Sequence, residues 1–325
     1  MLFRSVHGRE NDLIVATHGR GAWILDDASV IQELAAAAAK PAHLFAMRTA
    51  TRFATKQNKG SLGDDLFRGP NPSYGAIIRY HLKAAPATGT ASKIEILDDA
   101  GRVIRTYPRI PTAAGINTTA WDLAHEAARP RRAPAAGAAS GGDDEEEGFF
   151  GGGGGPRALP GRYTVRLTIG TQVLEQPVMV RFDPTARTTP EGLRAQFELA
   201  MQLRDLVSQA NDTLRALDAR KGELEARRRA AQALPNQEGA PVIKALTTEL
   251  AEVDTLITTL TKPANYPYWS EGPRVTERLG NLQRSVDAGN FPPTTPQQAL
   301  SRELAIELKQ ALDRVQKYLG RYTTM

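Results

Sequence analysis

The first apolar runs of the chain predict a β-hairpin. Apolar residues dominate Leu13–Thr17 and Ala22–Leu25. Between them stands Gly19-Arg20-Gly21, which favours a turn because glycine adopts positive φ angles at little cost. An isolated two-stranded hairpin is only marginally stable in water. We therefore expect this hairpin to dock on other β-structure, in this chain or in a longer protein.

The next segments predict a helix, a strand and a linker. Ala28–Ala39 is rich in alanine and ends at Lys40-Pro41, which favours a helix. The looser alternation over Ala42–Phe53 predicts one strand. Residues 54–74 are rich in Gly, Asn, Pro, Asp and Lys and predict a linker loop. The first predicted domain is therefore residues 1–53.

Residues 75–184 have the strand pattern of an immunoglobulin-like or fibronectin-like β-sandwich. Short β-rich runs alternate with turn signals such as Asp98-Asp99-Ala100-Gly101. The predicted strands are Ala76–Leu82, Lys93–Leu97, Val103–Tyr107, Thr118–Leu123, Arg162–Ile169 and Val173–Arg181. The predicted core residues are Ile78, Ile94, Ile96, Trp121, Tyr163, Val165 and Leu167. An insertion over residues 125–158, rich in Ala, Gly, Pro and acidic residues, predicts a disordered loop.

Residues 188–325 change to a helical period. Pro190 after Thr188-Thr189 predicts a helix start, and Thr295-Pro296 predicts another. Leucine, isoleucine and valine recur at spacings of three and four, which is typical of antiparallel helices packed in a bundle. The predicted fold class is therefore a mixed multidomain protein that ends in an all-α helical bundle.

The composition excludes several kinds of partner and site. Because the chain has no cysteine, it forms neither disulfides nor thiolate metal sites. A net charge of +5 over 325 residues is far below the dense basic surface that nucleic acids require. No apolar run approaches the ~18 residues of a membrane span. Met1–Ser5 does not open a signal peptide, so we expect the chain, if complete, to be cytoplasmic.

Adjacent acidic residues raise the question of glycoside hydrolysis, which requires two carboxylates about 5–9.5 Å apart. The pairs Asp26-Asp27, Asp64-Asp65 and Asp98-Asp99 each lie beside a predicted turn, where Asp binds backbone N–H groups. Neighbouring residues of a strand also point to opposite faces. We therefore assign no catalytic residue. The five histidines are His7, His18, His43, His81 and His125. Because no two of them have the spacing of metal ligands, we predict no metal ligand, and we predict no cofactor.

The segment Asn11–Asp27, with its phrase Ala16-Thr-His-Gly-Arg-Gly-Ala-Trp23, resembles the closing blade of bacterial sortilin-like BNR-repeat β-propellers. Members of this family are often labelled glycosyl hydrolases. The later order Pro41–Phe45, Thr119–Leu123, Pro160–Arg166 and helical tail is also similar. The resemblance covers nearly all of this chain and corresponds to the carboxy-terminal part of much longer proteins. It implies a propeller blade remnant over residues 1–53 and an exported parent protein.

Three residues of this phrase are candidate binding residues: His18, Arg20 and Trp23. The segment is similar to the Asp-box turn of BNR propellers, Ser/Thr-x-Asp-x-Gly-x-x-Trp. Gly19 stands at the Asp position, and Trp23 comes one residue early. The Asp-box is a structural hairpin turn. A purely structural interpretation, with Trp23 packed inward, therefore stands beside the binding interpretation.

These observations support three hypotheses of function. The leading one is a non-catalytic accessory and interaction region of an exported sortilin-like propeller protein, with a protein or glycan partner. The second is part of a glycoside hydrolase, sialidase-like in its propeller, whose active site lies in upstream blades. The third is a standalone intracellular scaffold that oligomerises through its helices. The DNA upstream of Met1 discriminates between them.

Overall fold

The computed structural model describes residues 3–8, 10–19, 21–53, 73–132, 154–233, 239–263 and 272–322. Within these ranges the chain forms eleven strands and five helices, so it is a mixed α and β protein. Its contacts divide it into two units. The first consists of Met1–Glu126 and Arg157–Arg187, and the second of Ala127–Pro156 and Thr188–Met325.

The amino-terminal sheet has three antiparallel strands in the order β1-β2-β3. These are β1 (Phe3–Val6), β2 (Leu13–Thr17) and β3 (Gly21–Leu25). The predicted hairpin is present, but the prediction missed β1. This strand pairs with β2, and Val6 lies opposite Leu13. A run of four residues that includes Arg4 and Ser5 has too little apolar patterning to predict a strand.

Eight further strands of the first unit form two sheets. The bounds are β4 (Ala42–Leu44), β5 (Ala50–Arg52), β6 (Ala76–Leu82), β7 (Ser92–Leu97), β8 (Val103–Tyr107), β9 (Gly115–Trp121), β10 (Gly161–Ile169) and β11 (Gln172–Phe182). One sheet has the order β5-β11-β10-β7-β8 and the other β4-β6-β9. Only β5 and β11 pair in parallel among these described strands.

The single strand predicted over Ala42–Phe53 is wrong. Two short strands occupy this segment, and they belong to different sheets: β4 pairs with β6, and β5 pairs with β11. The chain therefore passes from one sheet to the other between Leu44 and Ala50. Both β4 and β5 alternate buried and half-buried residues, which is the pattern that suggested one longer strand.

The five-stranded sheet and β4-β6-β9 share one hydrophobic core. All seven predicted core residues lie in it, and each is at most 7% exposed. Trp121 is fully buried. Its indole N–H donates to the Ala124 carbonyl at 2.9 Å, and its ring meets Tyr163 edge-on at 5.0 Å between centroids. Alternation in β6 places Ala76, Ile78, Tyr80 and Leu82 on the buried face and leaves Arg79 on the other.

Five helices complete the described chain. Helix α1 (Ser29–Ala38) belongs to the first unit, and the others to the second: α2 (Pro190–Gln232), α3 (Ala240–Leu260), α4 (Val275–Asp287) and α5 (Thr295–Gly320). The predicted starts are confirmed by their caps. Thr189 Oγ1 accepts from the Gly192 N–H at 3.1 Å, and Thr294 forms a capping box with Gln297. None of the described helices is both long and apolar enough to cross a membrane.

The four helices of the second unit surround a common hydrophobic core. It contains residues from the predicted periodic pattern of every helix, for example Leu203 of α2, Val253 of α3, Leu279 of α4 and Leu308 of α5. Polar contacts also join the helices. The buried Gln196 amide donates to the carbonyls of Val286 and Gly289, both at 2.6 Å, which ties the beginning of α2 to the end of α4.

The predicted disordered insertion has two described flanks. Ala127–Arg132 contacts α2, and Ala158 is fully buried and donates its N–H to the Leu123 carbonyl at 2.7 Å. Residues 133–153 lie outside the described residues, as do residues 54–72 of the predicted linker.

Candidate functional site

Two of the three candidate binding residues lie on the hairpin formed by β2 and β3. The turn contains Gly19 and Gly21, both with a φ of +81°, which explains why glycine is required at these positions. His18 is exposed beside this turn, and Trp23 lies farther along β3, opposite Val15. The third candidate, Arg20, lies outside the described residues.

Trp23 does not pack inward, so that expectation is wrong. Its side chain is 66% exposed. The expectation rested on the similarity of this segment to a purely structural hairpin turn. Here β3 lies at the edge of the three-stranded sheet, and all five of its residues are exposed. Within the described residues, no element covers the Trp23 ring.

Strand β3 presents apolar side chains on both of its faces. Because successive strand residues alternate, Trp23 and Leu25 point to one face and Ile24 to the other. Ile24 is 62% exposed and Leu25 45% exposed. One edge of β3 pairs with β2, and no described strand pairs with its other edge. An edge strand with apolar side chains is a template for pairing with further β-structure.

An ion-pair network holds the carboxylates next to this hairpin. Arg48 donates to Asp12 Oδ1 at 3.0 Å and also to the Glu10 carboxylate. Arg181, on β11, places Nη2 3.8 Å from Glu10 Oε1. Both acids are about one-fifth exposed. Each of these two carboxylates therefore accepts from at least one guanidinium.

Asp27 is the most buried acid of this network, with a side chain 8% exposed. Its Oδ2 accepts from Arg79 Nη1 at 3.0 Å, and its Oδ1 accepts from the Ser29 N–H at 3.2 Å. Its own N–H donates to Asp12 Oδ1 at 3.0 Å. Asp27 therefore satisfies a backbone donor at the start of α1 and links that helix to β6. This geometry gives the carboxylate a structural role.

The sequence did not indicate the arginines of this network. Arg48 lies 36 residues from Asp12, and Arg79 lies 52 residues from Asp27, so no short motif joins them. In the sequence these acids stand out only as pairs of neighbouring residues. One signal was available: Arg79 alternates with the apolar residues of β6, a pattern that places its side chain on the outer face of that strand.

The Asp98-Asp99 pair lies at a turn, as the sequence predicted. Asp98 Oδ1 accepts from the N–H groups of Ala100 and Arg102 at 3.0 and 2.9 Å. Burial alone raises the pKa of Asp98, but the hydrogen bonds from Arg102 and Ala100 outweigh it and the pKa is lowered. A shallow depression of about 270 Å³ lies beside this turn and is also lined by Arg162 and Glu175. Asp64-Asp65 lies outside the described residues.

Other sites offer little to a metal or a small ligand. Among the described residues, no group of three or more His, Asp and Glu side chains is placed to hold a metal ion. A second depression, of about 420 Å³, lies on the surface of the first turns of α2, between Pro190 and Glu198. Both depressions are open to solvent, whereas small-molecule sites are enclosed clefts.

No protein-family model matches this chain, and no curated protein matches it either. The binding properties of the hairpin are therefore inferred from its geometry alone. It combines an exposed apolar edge strand with neighbouring carboxylates that arginines already engage. Such an arrangement can pair with a macromolecule through β3, and it presents no free pair of acids for hydrolysis.

Proposed function

We propose that this chain is a non-catalytic accessory and interaction region of an exported sortilin-like BNR-propeller protein. In this proposal residues 1–53 are the remnant of a propeller blade. The two sheets that share a core are an immunoglobulin-like sandwich, and the four helices of the second unit are an antiparallel bundle. The partner is a protein or a glycan, and further propeller blades dock on β3.

The observation that carries this proposal is the exposed edge of β3. Trp23, Ile24 and Leu25 together place three large apolar side chains on a strand with one unpaired edge. Propeller blades are typically four-stranded sheets, and this sheet has three described strands. A fourth strand would pair with the free edge of β3, and a neighbouring blade packed on the face of this sheet would cover Trp23.

The ion pairs favour an accessory function over hydrolysis. A glycosidase needs one carboxyl group to protonate the leaving oxygen and a second to act as nucleophile or base. The acids beside the hairpin are engaged as acceptors by Arg48 and Arg79. Asp26 is exposed, but the carboxylate of its neighbour Asp27 accepts hydrogen bonds from Arg79 and Ser29.

The experiment begins with the DNA upstream of Met1. The proposal expects an in-frame continuation that encodes further Asp-box blades. The polypeptide encoded there, produced separately, should bind the purified chain. The double substitution Trp23→Ser/Ile24→Thr should weaken this binding by about tenfold or more, equivalent to ~1.4 kcal/mol, because it removes apolar area from the contact.

The matched control is Val103→Thr/Val173→Thr. These two valines are 46% and 55% exposed on other strands, so their replacement removes exposed apolar area elsewhere. The control should bind as tightly as the parent chain. An upstream frame without propeller blades would overturn the proposal, and so would equal affinities of the β3 variant and the control.

A second measurement tests the absence of catalysis. The purified chain is assayed with a panel of aryl glycosides that includes a sialoside. Rates should equal the uncatalysed background. Turnover that disappears in Asp26→Asn, a substitution at an exposed position, would contradict the accessory function and favour the hydrolase hypothesis.

A further inference from the structure

Helix α2 carries a row of polar side chains that holds another segment of the second unit. This segment, Ala127–Arg132, is called the strap below. Arg129 donates Nε to Asp212 Oδ2 at 3.0 Å, and its Nη2 donates to the same carboxylate. Arg131 donates Nε and Nη2 to the two oxygens of Asp218, at 2.8 and 2.7 Å. The second contact is a two-point pairing of a guanidinium with a carboxylate.

The same helix surface also binds the strap backbone. The Arg129 N–H donates to Ser208 Oγ at 3.2 Å, and Asn211 Nδ2 donates to the Arg129 carbonyl at 2.8 Å. Ser208 Oγ is oriented as an acceptor here, because its own proton goes to the Arg204 carbonyl at 2.8 Å. Both backbone groups of Arg129 are therefore satisfied by side chains of α2.

These contacts have the form of peptide recognition. Two side chains bind main-chain groups that every residue offers, and two aspartates bind side chains that only arginine supplies in this geometry. The residue between the arginines is Pro130, which has no N–H to satisfy and keeps the backbone out of helical geometry before it. Arg129 also lowers the pKa of Asp212 through the hydrogen bond between them.

We propose that Ser208, Asn211, Asp212 and Asp218 form a docking site for an extended arginine-x-arginine segment of a partner protein. The strap occupies this site in cis and inhibits docking until the partner displaces it. Arg129 is 61% exposed, and exposed ion pairs contribute little individually, so a competing segment can exchange with the strap. The proposal is independent of the function proposed above, which concerns β3.

The test uses the full chain and a fluorescently labelled peptide with the sequence of residues 127–132. Arg129→Glu/Arg131→Glu frees the site and leaves the α2 residues intact. This variant should bind the peptide, measured by fluorescence anisotropy, at least about tenfold more tightly than the parent chain, whose strap competes at an effective concentration in the millimolar range. A peptide with lysine in place of Arg129 and Arg131 should bind the variant at least about tenfold more weakly, because lysine lacks the planar fork.

The control adds Asp212→Asn/Asp218→Asn to the strap variant and should abolish peptide binding. Circular dichroism melts are recorded for each variant to check that it is folded. Cleavage by trypsin after Arg131 should be faster in Asp212→Asn/Asp218→Asn than in the parent chain, because the strap is then released. Lack of peptide binding by the folded strap variant, or binding that persists without the two aspartates, would overturn the proposal. A parent chain that forms dimers, with the strap of each copy in the docking site of the other, would overturn the proposal that the strap occupies the site of its own chain.

Discussion

Arg79 of β6 donates to Asp27 at 3.0 Å across 52 residues of sequence, and Asp27 holds this position with a left-handed backbone of φ +58°. The pair joins the start of α1 to the sheet β4-β6-β9. Asp27 is one of the few residues of the described chain other than glycine with a positive φ. The ion pair therefore anchors a residue whose backbone conformation is uncommon outside glycine.

Asp27→Asn should lower the free energy of unfolding by about 1–3 kcal/mol, because a partly buried guanidinium loses its charged acceptor. Asparagine tolerates the left-handed conformation, so the substitution tests the charge and not the backbone. Asp26→Asn, at the exposed neighbouring position, should change stability by less than about 0.5 kcal/mol. Chemical denaturation of both variants measures the difference. Equal losses would mean that the Asp27–Arg79 pair contributes nothing to stability.

Trp121→Ala should destabilise the first unit by roughly 3–5 kcal/mol, since it empties the largest fully buried side chain of that core. Trp121→Phe should cost less, because it keeps an aromatic ring beside Tyr163 and loses chiefly the hydrogen bond to Ala124. Calorimetry of the full chain measures both effects in the transition of the first unit. A change below about 1 kcal/mol for Trp121→Ala would contradict the buried position of this ring.

Gly75→Ala should destabilise the same unit by more than about 2 kcal/mol. Gly75 has a φ of +110°, and a Cβ at this position would lie 1.9 Å from the Trp121 carbonyl oxygen. The backbone would have to move. Gly115→Ala is the matched control, with a φ of +99° and open space around the added carbon, so it should cost only the conformational strain of about 1–2 kcal/mol. Equal melting temperatures for the two variants would contradict the close approach of Gly75 to the Trp121 carbonyl oxygen.

Glu249→Gln should flatten the acid dependence of stability in the second unit. Glu249 Oε1 accepts from Arg220 Nη2 at 2.6 Å and from the Tyr318 hydroxyl at 2.9 Å. Burial raises the pKa of Glu249, but these hydrogen bonds outweigh it and the pKa is lowered from its ordinary value of 4.5. The stabilisation is therefore present above that ordinary value and is lost as the pH falls through the lower pKa of the folded state.

Helical circular dichroism during urea unfolding at several pH values measures this dependence. The parent chain should lose stability below pH 4.5 more steeply than Glu249→Gln. Glu252→Gln is the control, because Glu252 forms an exposed pair with Arg321 and should leave the dependence nearly unchanged. Parallel curves for the parent chain and Glu249→Gln would contradict the prediction.

The sequence predicted those elements whose residues repeat with a clear period. Tyr163, Val165 and Leu167 alternate along β10, which lies close to its predicted bounds. The leucines and the valine of α5 recur every three or four residues, and this helix begins at the predicted Thr295. Short strands escaped prediction or were merged, as β1, β4 and β5 show. Strands of three or four residues have too few positions for a period to be recognised.

The candidate site could be predicted only where it is local. The glycine turn at Gly19 and Gly21 follows from the sequence, since positive φ angles select glycine. The exposure of Trp23 does not, because it depends on which strands lie beside β3. The network of Arg48 and Arg79 joins residues that are far apart in sequence, and only the folded sheets bring their charges together.

The parallel pairing of β5 with β11 has a consequence for the order of synthesis. Val180 of β11 lies opposite Ala50 of β5, so this edge of the five-stranded sheet closes a loop of 130 residues. During synthesis β5 leaves the ribosome long before β11, so it has no partner strand until the residues up to Phe182 have emerged. Pairings between such distant residues are slow to form and leave nascent chains prone to aggregation. We therefore expect the amino-terminal half of the β-rich unit to be the segment most dependent on chaperones during translation.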